Sequence, residues 1–224
     1  MSLKNKVAVI TGASSGLGKA SAEQLHQEGV KVFALARSIQ ETDLPESIVK
    51  VPLNIRDLKS IDDSFSSIDR QTKQIDILVN CAGRGLVKEL EDTSRDEIMD
   101  VLGINLKGNI YIAQEVYKRM LPHKSGYIIN VLSTSGIKAR ADEPIYCASK
   151  WGLRGFTESL RLAAAKHTIR VTSVLPGGMQ TNFWEKEKDT STYMKAEDIA
   201  VEIVHILKTP TSIAPSEYVI ERGF

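Results

Sequence analysis

The sequence predicts an α/β fold: one domain, residues 1–224, built on a doubly wound parallel sheet of about seven strands with helices on both faces. Three observations predict it. Short apolar runs alternate with amphipathic stretches from end to end, as strand–helix units do. Most of the runs are near-continuous in valine, isoleucine and leucine, the pattern of strands covered on both faces. No internal repeat, low-complexity tract or Pro/Gly/Ser-rich linker divides the 224 residues, a length that buries one full core.

The first run, VAVIT (7–11), leads at once into Gly12-Ala13-Ser14-Ser15-Gly16-Leu17-Gly18 and a helix over 16–28. Three glycines permit a tight turn and suggest that something outside the protein approaches the backbone closely. A helix starting there aims its free N–H groups at an anion. A P-loop does not fit, since it needs Gly at position 13 and Ser or Thr at 20, and both are alanine. The spacing G-x-x-x-G-x-G also differs from the common G-x-G-x-x-G.

The second run, VKVFALA (30–36), ends in Ala36-Arg37-Ser38. A dinucleotide site reads the adenosine ribose at the end of this strand, with an acid where the 2′-hydroxyl is free. No acid stands there, and the planar fork of Arg37 suits a 2′-phosphate, so NADP(H) is expected over NAD(H). The third run, IVKVPL (48–53), is followed by Asn54 and a helix over 57–69. The fourth, IDILVN (75–80), closes in Asn80-Cys81-Ala82-Gly83. A long helix is expected over 94–121, where Asn105 interrupts the apolar stripe Ile98, Val101, Leu102, Leu106. A buried amide there must find partners or cost about 1–3 kcal/mol.

The fifth run, YIINVL (127–132), delivers Ser133 to the carboxyl end of a strand, where open parallel sheets bind ligands. The helix over 146–166 opens Tyr146-Cys147-Ala148-Ser149-Lys150, and residues four apart share a helix face. An ammonium within ~4–6 Å favours the phenolate and lowers a tyrosine pKa that is ordinarily ~10, which suits acid–base catalysis. The sixth run, IRVTSVL (169–175), precedes Pro176-Gly177 and Thr181; a helix over 195–208 and the run YVIE (218–221) complete the chain.

These residues together resemble the short-chain dehydrogenase/reductase family over nearly the whole chain, in its NADP(H)-preferring form. Thr11-Gly12…Gly16…Gly18 is similar to the family's T-G-x-x-x-G-x-G loop, and Asn80-Cys81-Ala82-Gly83 to its N-N-A-G. Asn105, Ser133, Tyr146 and Lys150 fall in the order of its catalytic tetrad, and Pro176-Gly177…Thr181 resembles its P-G-x-x-x-T. Three departures stand out: Cys81 for the second asparagine, Asn54 for an aspartate that commonly meets adenine, and a C-terminus (218–224) without the family's glycine pair.

The resemblance implies a Rossmann-type fold and hydride transfer between NADP(H) and a carbonyl or alcohol. Tyr146 would be the general acid/base, and Lys150 would lower its pKa and bind the nicotinamide ribose. Ser133 would hold the oxygen, and Asn105 would position a water linked to Lys150. Cofactor contacts are implied for Gly12, Ser14, Ser15, Gly16, Leu17, Gly18, Arg37, Ser38, Asn54, Asn80, Ala82, Gly83, Pro176, Gly177, Met179 and Thr181, besides Tyr146 and Lys150. The expected activity is NADPH-dependent reduction of a small or medium ketone or aldehyde. An NADP-linked alcohol dehydrogenase or a non-catalytic NADP(H) sensor are the alternatives. Substrate is expected to be lined by 84–87, 137–144 and 183–193, with the run Glu185-Lys186-Glu187-Lys188-Asp189 a solvated helix face. Family members pair the helices at 94–121 and 146–166, so a homodimer or homotetramer is expected, with Leu106, Ile110, Phe156 and Leu160 at the interface.

Composition narrows the rest. A net charge of +1 carries no footprint for nucleic acid or an anionic membrane. Cys81 and Cys147 have no metal spacing, and His26, His123, His167 and His205 are scattered, so no metal site is expected. No run approaches the roughly 18 apolar residues of a membrane span. The first strand begins too early for a signal peptide's apolar core, and a cytoplasmic enzyme is expected.

Overall fold

In the computed structural model, residues 1–181, 183 and 190–223 are described. The chain runs β1 (Val7–Thr11), α1 (Gly16–Gln27), β2 (Lys31–Ala36), β3 (Val49–Pro52), α2 (Leu58–Asp69), β4 (Ile77–Asn80), α3 (Arg95–Leu102) and α4 (Asn109–Met120). It continues through β5 (Gly126–Val131), α5 (Pro144–Ala165), β6 (Ile169–Pro176), β7 (Met179–Gln180), β8 (Met194–Lys195), α6 (Ala196–Lys208) and β9 (Glu217–Ile220). Seven strands form one sheet in the order β3-β2-β1-β4-β5-β6-β9, with every pairing parallel.

Successive residues of a strand face opposite sides of the sheet, so each strand feeds two cores. Ala8 and Ile10 of β1 join Leu17, Leu25, Ile199 and Ile203 beneath α1 and α6. Val9 joins Phe33, Phe65, Ile112 and Val116 on the side of α2 and α4. Burial of each large side chain contributes about 1.5–3 kcal/mol, and this requirement on both faces explains why the strand sequences are apolar throughout.

The chain winds outward in one direction from β1 to β3, then crosses back to β4, so the connections diverge between β1 and β4. Thr11 is level with both Leu35 and Asn80, and Asn80 with Asn130. The carboxyl ends of β2, β1, β4 and β5 therefore align and put Gly12, Arg37, Cys81 and Ser133 along one rim, beside the crevice that such a switch point opens.

One expected element differs. The helix over 94–121 is two helices joined by a π-helical turn, Gly103–Gly108. Gly108 lies against β3's trailing loop: a Cβ there would sit 2.7 Å from both the carbonyl oxygen and Cγ1 of Ile55. Within the widened turn the Asn109 amide donates to the carbonyls of Ile104 at 2.9 Å and Asn105 at 3.1 Å. The start of α3 follows its sequence signal: Ser94 and Glu97 form a reciprocal capping box. A second feature, the two-residue pairing of β7 with β8, brackets residues 181–193. Among the described residues no helix is long and apolar enough to cross a membrane.

Candidate active site

The glycine loop packs first against the protein itself. Gly12 has φ 67° and Gly16 φ 50°, conformations that side-chain-bearing residues rarely adopt. A Cβ on Gly12 would lie 3.0 Å from Cα and N of Ala82, and one on Gly18 only 2.3 Å from the carbonyl oxygen of Gly12. Close approach of chain to chain thus requires these two glycines, in addition to any outside molecule that approaches the loop. The loop nevertheless presents a cradle. Ser15 is extended and does not cap α1 with its side chain, and no acid occupies the first turn. The N–H groups of Gly16, Leu17 and Gly18 donate to no partner among the described residues. They line a cavity of about 500 Å³ together with Ser14 and Ser15, the arrangement a helix N-terminus offers to an anion.

A second cavity of about 410 Å³ continues from Gly12 and Ser14 past the end of β2. Its walls include Ala36, Arg37, Ser38, Asn54, Ala82 and Gly83. Arg37 is exposed and makes no ion pair among the described residues. The side-chain oxygen of Asn54 accepts from the Arg56 N–H at 3.3 Å. Sequence reasoning missed one further guanidinium group, Arg56, and placed another, Arg84, only in the substrate lining; both line this same cavity. Each binds one oxygen of Asp100. No local motif announces this trio, whose members come from three separate segments.

Ser133, Tyr146 and Lys150 share a wall of the larger cavity. The Ser133 hydroxyl oxygen accepts from the Ser135 N–H at 3.1 Å, which orients it at the end of β5. The Tyr146 ring is buried and meets Phe183 edge-on at 5.7 Å between centroids. Lys150 Nζ donates to the Val131 carbonyl at 3.1 Å and stands 5.7 Å from the Tyr146 ring centroid. Burial pushes the Tyr146 hydroxyl above its ordinary pKa, with the Ser133 hydroxyl opposing and the Glu143 carboxylate adding to the rise. Burial pulls the Lys150 ammonium down to about 8. Desolvation dominates at both groups and favours their neutral forms, so the net shift at Tyr146 runs opposite to the lowering expected from Lys150. A tyrosine so placed keeps its proton at neutral pH.

Asn105 and Asn80 lie beneath the cavities rather than on them. Asn105 accepts from the Arg84 N–H at 2.7 Å and donates to the Arg84 carbonyl at 2.8 Å and Ser149 Oγ at 3.2 Å. Its side chain clamps the loop after β4, so it is a positioning residue. Asn80 accepts from Thr11 Oγ1 at 2.8 Å and donates to the Asn109 carbonyl at 3.0 Å and Asn130 Oδ1 at 3.2 Å. It joins β1, β4, β5 and α4, and its implied cofactor contact gives way to that internal network. Cys81 does line the larger cavity, with its thiol pushed up to about 12 by burial.

Pro176, Gly177, Met179 and Thr181 line the opposite side of the larger cavity. A Cβ on Gly16 would meet Thr181 Cγ2 at 3.1 Å, so this segment packs directly on the glycine loop. Of the expected substrate lining, Arg140, Glu143, Phe183 and Tyr193 border the larger cavity and Arg84 the smaller. Asn182 and the charged run 185–189 lie outside the described residues.

The comparisons agree with this geometry. A family model described as short chain dehydrogenase matches residues 6–192. An uncharacterized oxidoreductase of Staphylococcus epidermidis is 30% identical over 231 residues, covering 97% of this chain and 97% of the relative. One from Staphylococcus aureus is 32% identical over 225 residues, again covering 97% of each. Among solved structures, an actinorhodin polyketide ketoreductase with NADPH superposes with a TM-score of 0.88 at 26% identity, covering 98% of this chain and 97% of that one. A serine dehydrogenase with NADP+ superposes at 0.89 with 27% identity, covering 96% and 94%.

Proposed function

This chain belongs to the short chain dehydrogenase family and is an oxidoreductase of that type, and on that premise we propose that it reduces a ketone or aldehyde with NADPH, using Tyr146 as the proton donor. The observation that carries the proposal is the sharing of one cavity by Ser133, Tyr146 and Lys150 on one side and the unpaired N–H groups of α1 on the other.

The residues present fit a dinucleotide with a 2′-phosphate. The α1 N-terminus suits the pyrophosphate, Arg37 suits the 2′-phosphate, and Ala36 puts no acid in its way. The two structural neighbours solved with NADPH and NADP+ support that choice. When bound, the cofactor supplies the hydride; the protein supplies orientation and electrostatics. Ser133 donates a hydrogen bond to the substrate oxygen. Tyr146 passes its hydroxyl proton to that oxygen as the carbon is reduced, giving the alcohol. Lys150 sets the local charge beside the tyrosine, and Asn105 holds the Arg84 backbone that borders the cleft. The solved ketoreductase with NADPH supports reduction as the proposed direction.

The test is a panel of small ketones, aldehydes and diketones assayed for NADPH oxidation. The expected result is one alcohol formed per NADPH consumed. Reduction of NADP+ by alcohols without carbonyl reduction contradicts the direction, and binding of NADPH with turnover of neither class contradicts catalysis. A cytoplasmic homodimer or homotetramer joined through α4 and α5 belongs to the same proposal; two free thiols suit a reducing compartment.

A further inference from the structure

Glu143 is the residue immediately before α5, and it behaves unlike an ordinary acid at a helix start. Its side chain makes no capping hydrogen bond, although acidic groups are favoured at that position. The carboxylate is instead buried, with the residue 4% exposed, and borders the larger cavity alongside Ser133 and Tyr146. Both of its partners act on one oxygen: Ser135 Oγ donates to Oε2 at 2.9 Å, and Arg140 Nε lies 3.7 Å from the same atom. Oε1 has no hydrogen bond among the described residues. A carboxylate taken out of water is costly unless its oxygens are paired, and here one is held while the other remains available beside the proton donor. Glu143 precedes Tyr146 by three residues, and its carboxylate adds to the rise of the tyrosine pKa.

We propose that Glu143 is a specificity-determining residue whose free oxygen accepts a hydrogen bond from a donor substituent next to the substrate's reacting carbonyl, most strongly from an ammonium and next from a hydroxyl. The substrates are then amino- or hydroxy-substituted ketones rather than purely apolar ones. The neighbouring Ser135 contact keeps the carboxylate fixed, so its discrimination does not require the side chain to be ordered anew. This rests on the carbonyl-reductase reading above.

Aminoacetone, hydroxyacetone and butanone test it, because they differ only in the group beside the carbonyl and are nearly equal in size. For the wild-type protein with NADPH, kcat/KM is expected to fall in that order. The span should be about ten- to hundred-fold, the value of a charge-assisted hydrogen bond. Glu143→Gln keeps the volume and an acceptor for Ser135 but removes the charge. It should lower the aminoacetone-to-butanone ratio at least tenfold, and through KM more than kcat. Butanone reports reduction alone. Turnover of butanone as efficient as that of aminoacetone in the wild type, or an unchanged ratio in Glu143→Gln, overturns the assignment of Glu143 while leaving carbonyl reduction intact. Absence of turnover with all three ketones overturns both. The wild-type ranking needs no variant, so poor folding of Glu143→Gln does not remove the test.

Discussion

Lys150 is held where its charge is disfavoured, and that has a pH signature. Its pKa is about 8 against an ordinary 10.5. Below pH 8 the lysine is protonated whether the chain is folded or not, and the folded state carries the full cost of the buried charge. Between 8 and 10.5 the unfolded chain binds the extra proton, so stability rises with pH, and above 10.5 the cost is gone. Relative to Lys150→Met, the wild type should therefore gain stability as pH rises from 8 to 10.5. Urea unfolding of both proteins across that window checks it; a constant difference would mean that burial does not depress the lysine. Arg37 governs a different readout. Of the three guanidinium groups around the smaller cavity, Arg56 and Arg84 are engaged by Asp100, and Arg37 has no acidic partner among the described residues. The Arg37→Ala change should lower the kcat/KM preference for NADPH over NADH by about ten- to hundred-fold, the loss of one or two charge-assisted bonds. An unaltered preference would transfer that role to Arg56 or Arg84.

The turn from β1 into α1 is the element on which the site depends, and its glycines make opposed predictions separable. Replacing a helical glycine with alanine ordinarily stabilises by about 0.5–1 kcal/mol. At Gly18 the new Cβ would lie 2.3 Å from the Gly12 carbonyl oxygen. Gly18→Ala should therefore destabilise by about 1–3 kcal/mol, as overpacking does, and weaken NADPH binding by shifting the loop. Denaturant titration that shows a gain in stability would contradict this packing. Elements also show where sequence reading stops. The strands are legible because burial on both faces forces continuous apolar runs, and α3 is legible at its start from Ser94 and Glu97. The π-turn is not, because the stripe from Ile98 to Leu106 suits an unbroken helix equally well, and the close approach of Gly108 to Ile55 is remote in sequence. The tetrad positions are readable from local motifs. The Asp100 trio and the inward turn of Glu143 are not, since their partners meet only after the chain has folded.

At the scale of the whole molecule, the switch point between β1 and β4 brings the phosphate cradle, the ribose-reading end of β2 and the wall after β5 to one rim. The same architecture leaves α4 and α5 side by side, with a face where Leu106, Ile110, Phe156 and Leu160 are only half-buried. Pairing of that face across a two-fold axis should give a dimer or tetramer mass by light scattering at micromolar concentration, and a monomer mass would refute it. The central claim, however, is that one cavity binds NADPH and delivers a proton from Tyr146. The direct measurement is a paired determination of NADPH affinity and kcat in wild type and Tyr146→Phe. The account predicts NADPH affinity within a few-fold of wild type and a kcat lowered by about 10²–10⁴, the contribution of a positioned acid. A kcat above about a tenth of the wild-type value, with carbonyl reduction otherwise intact, would show that another group supplies the proton.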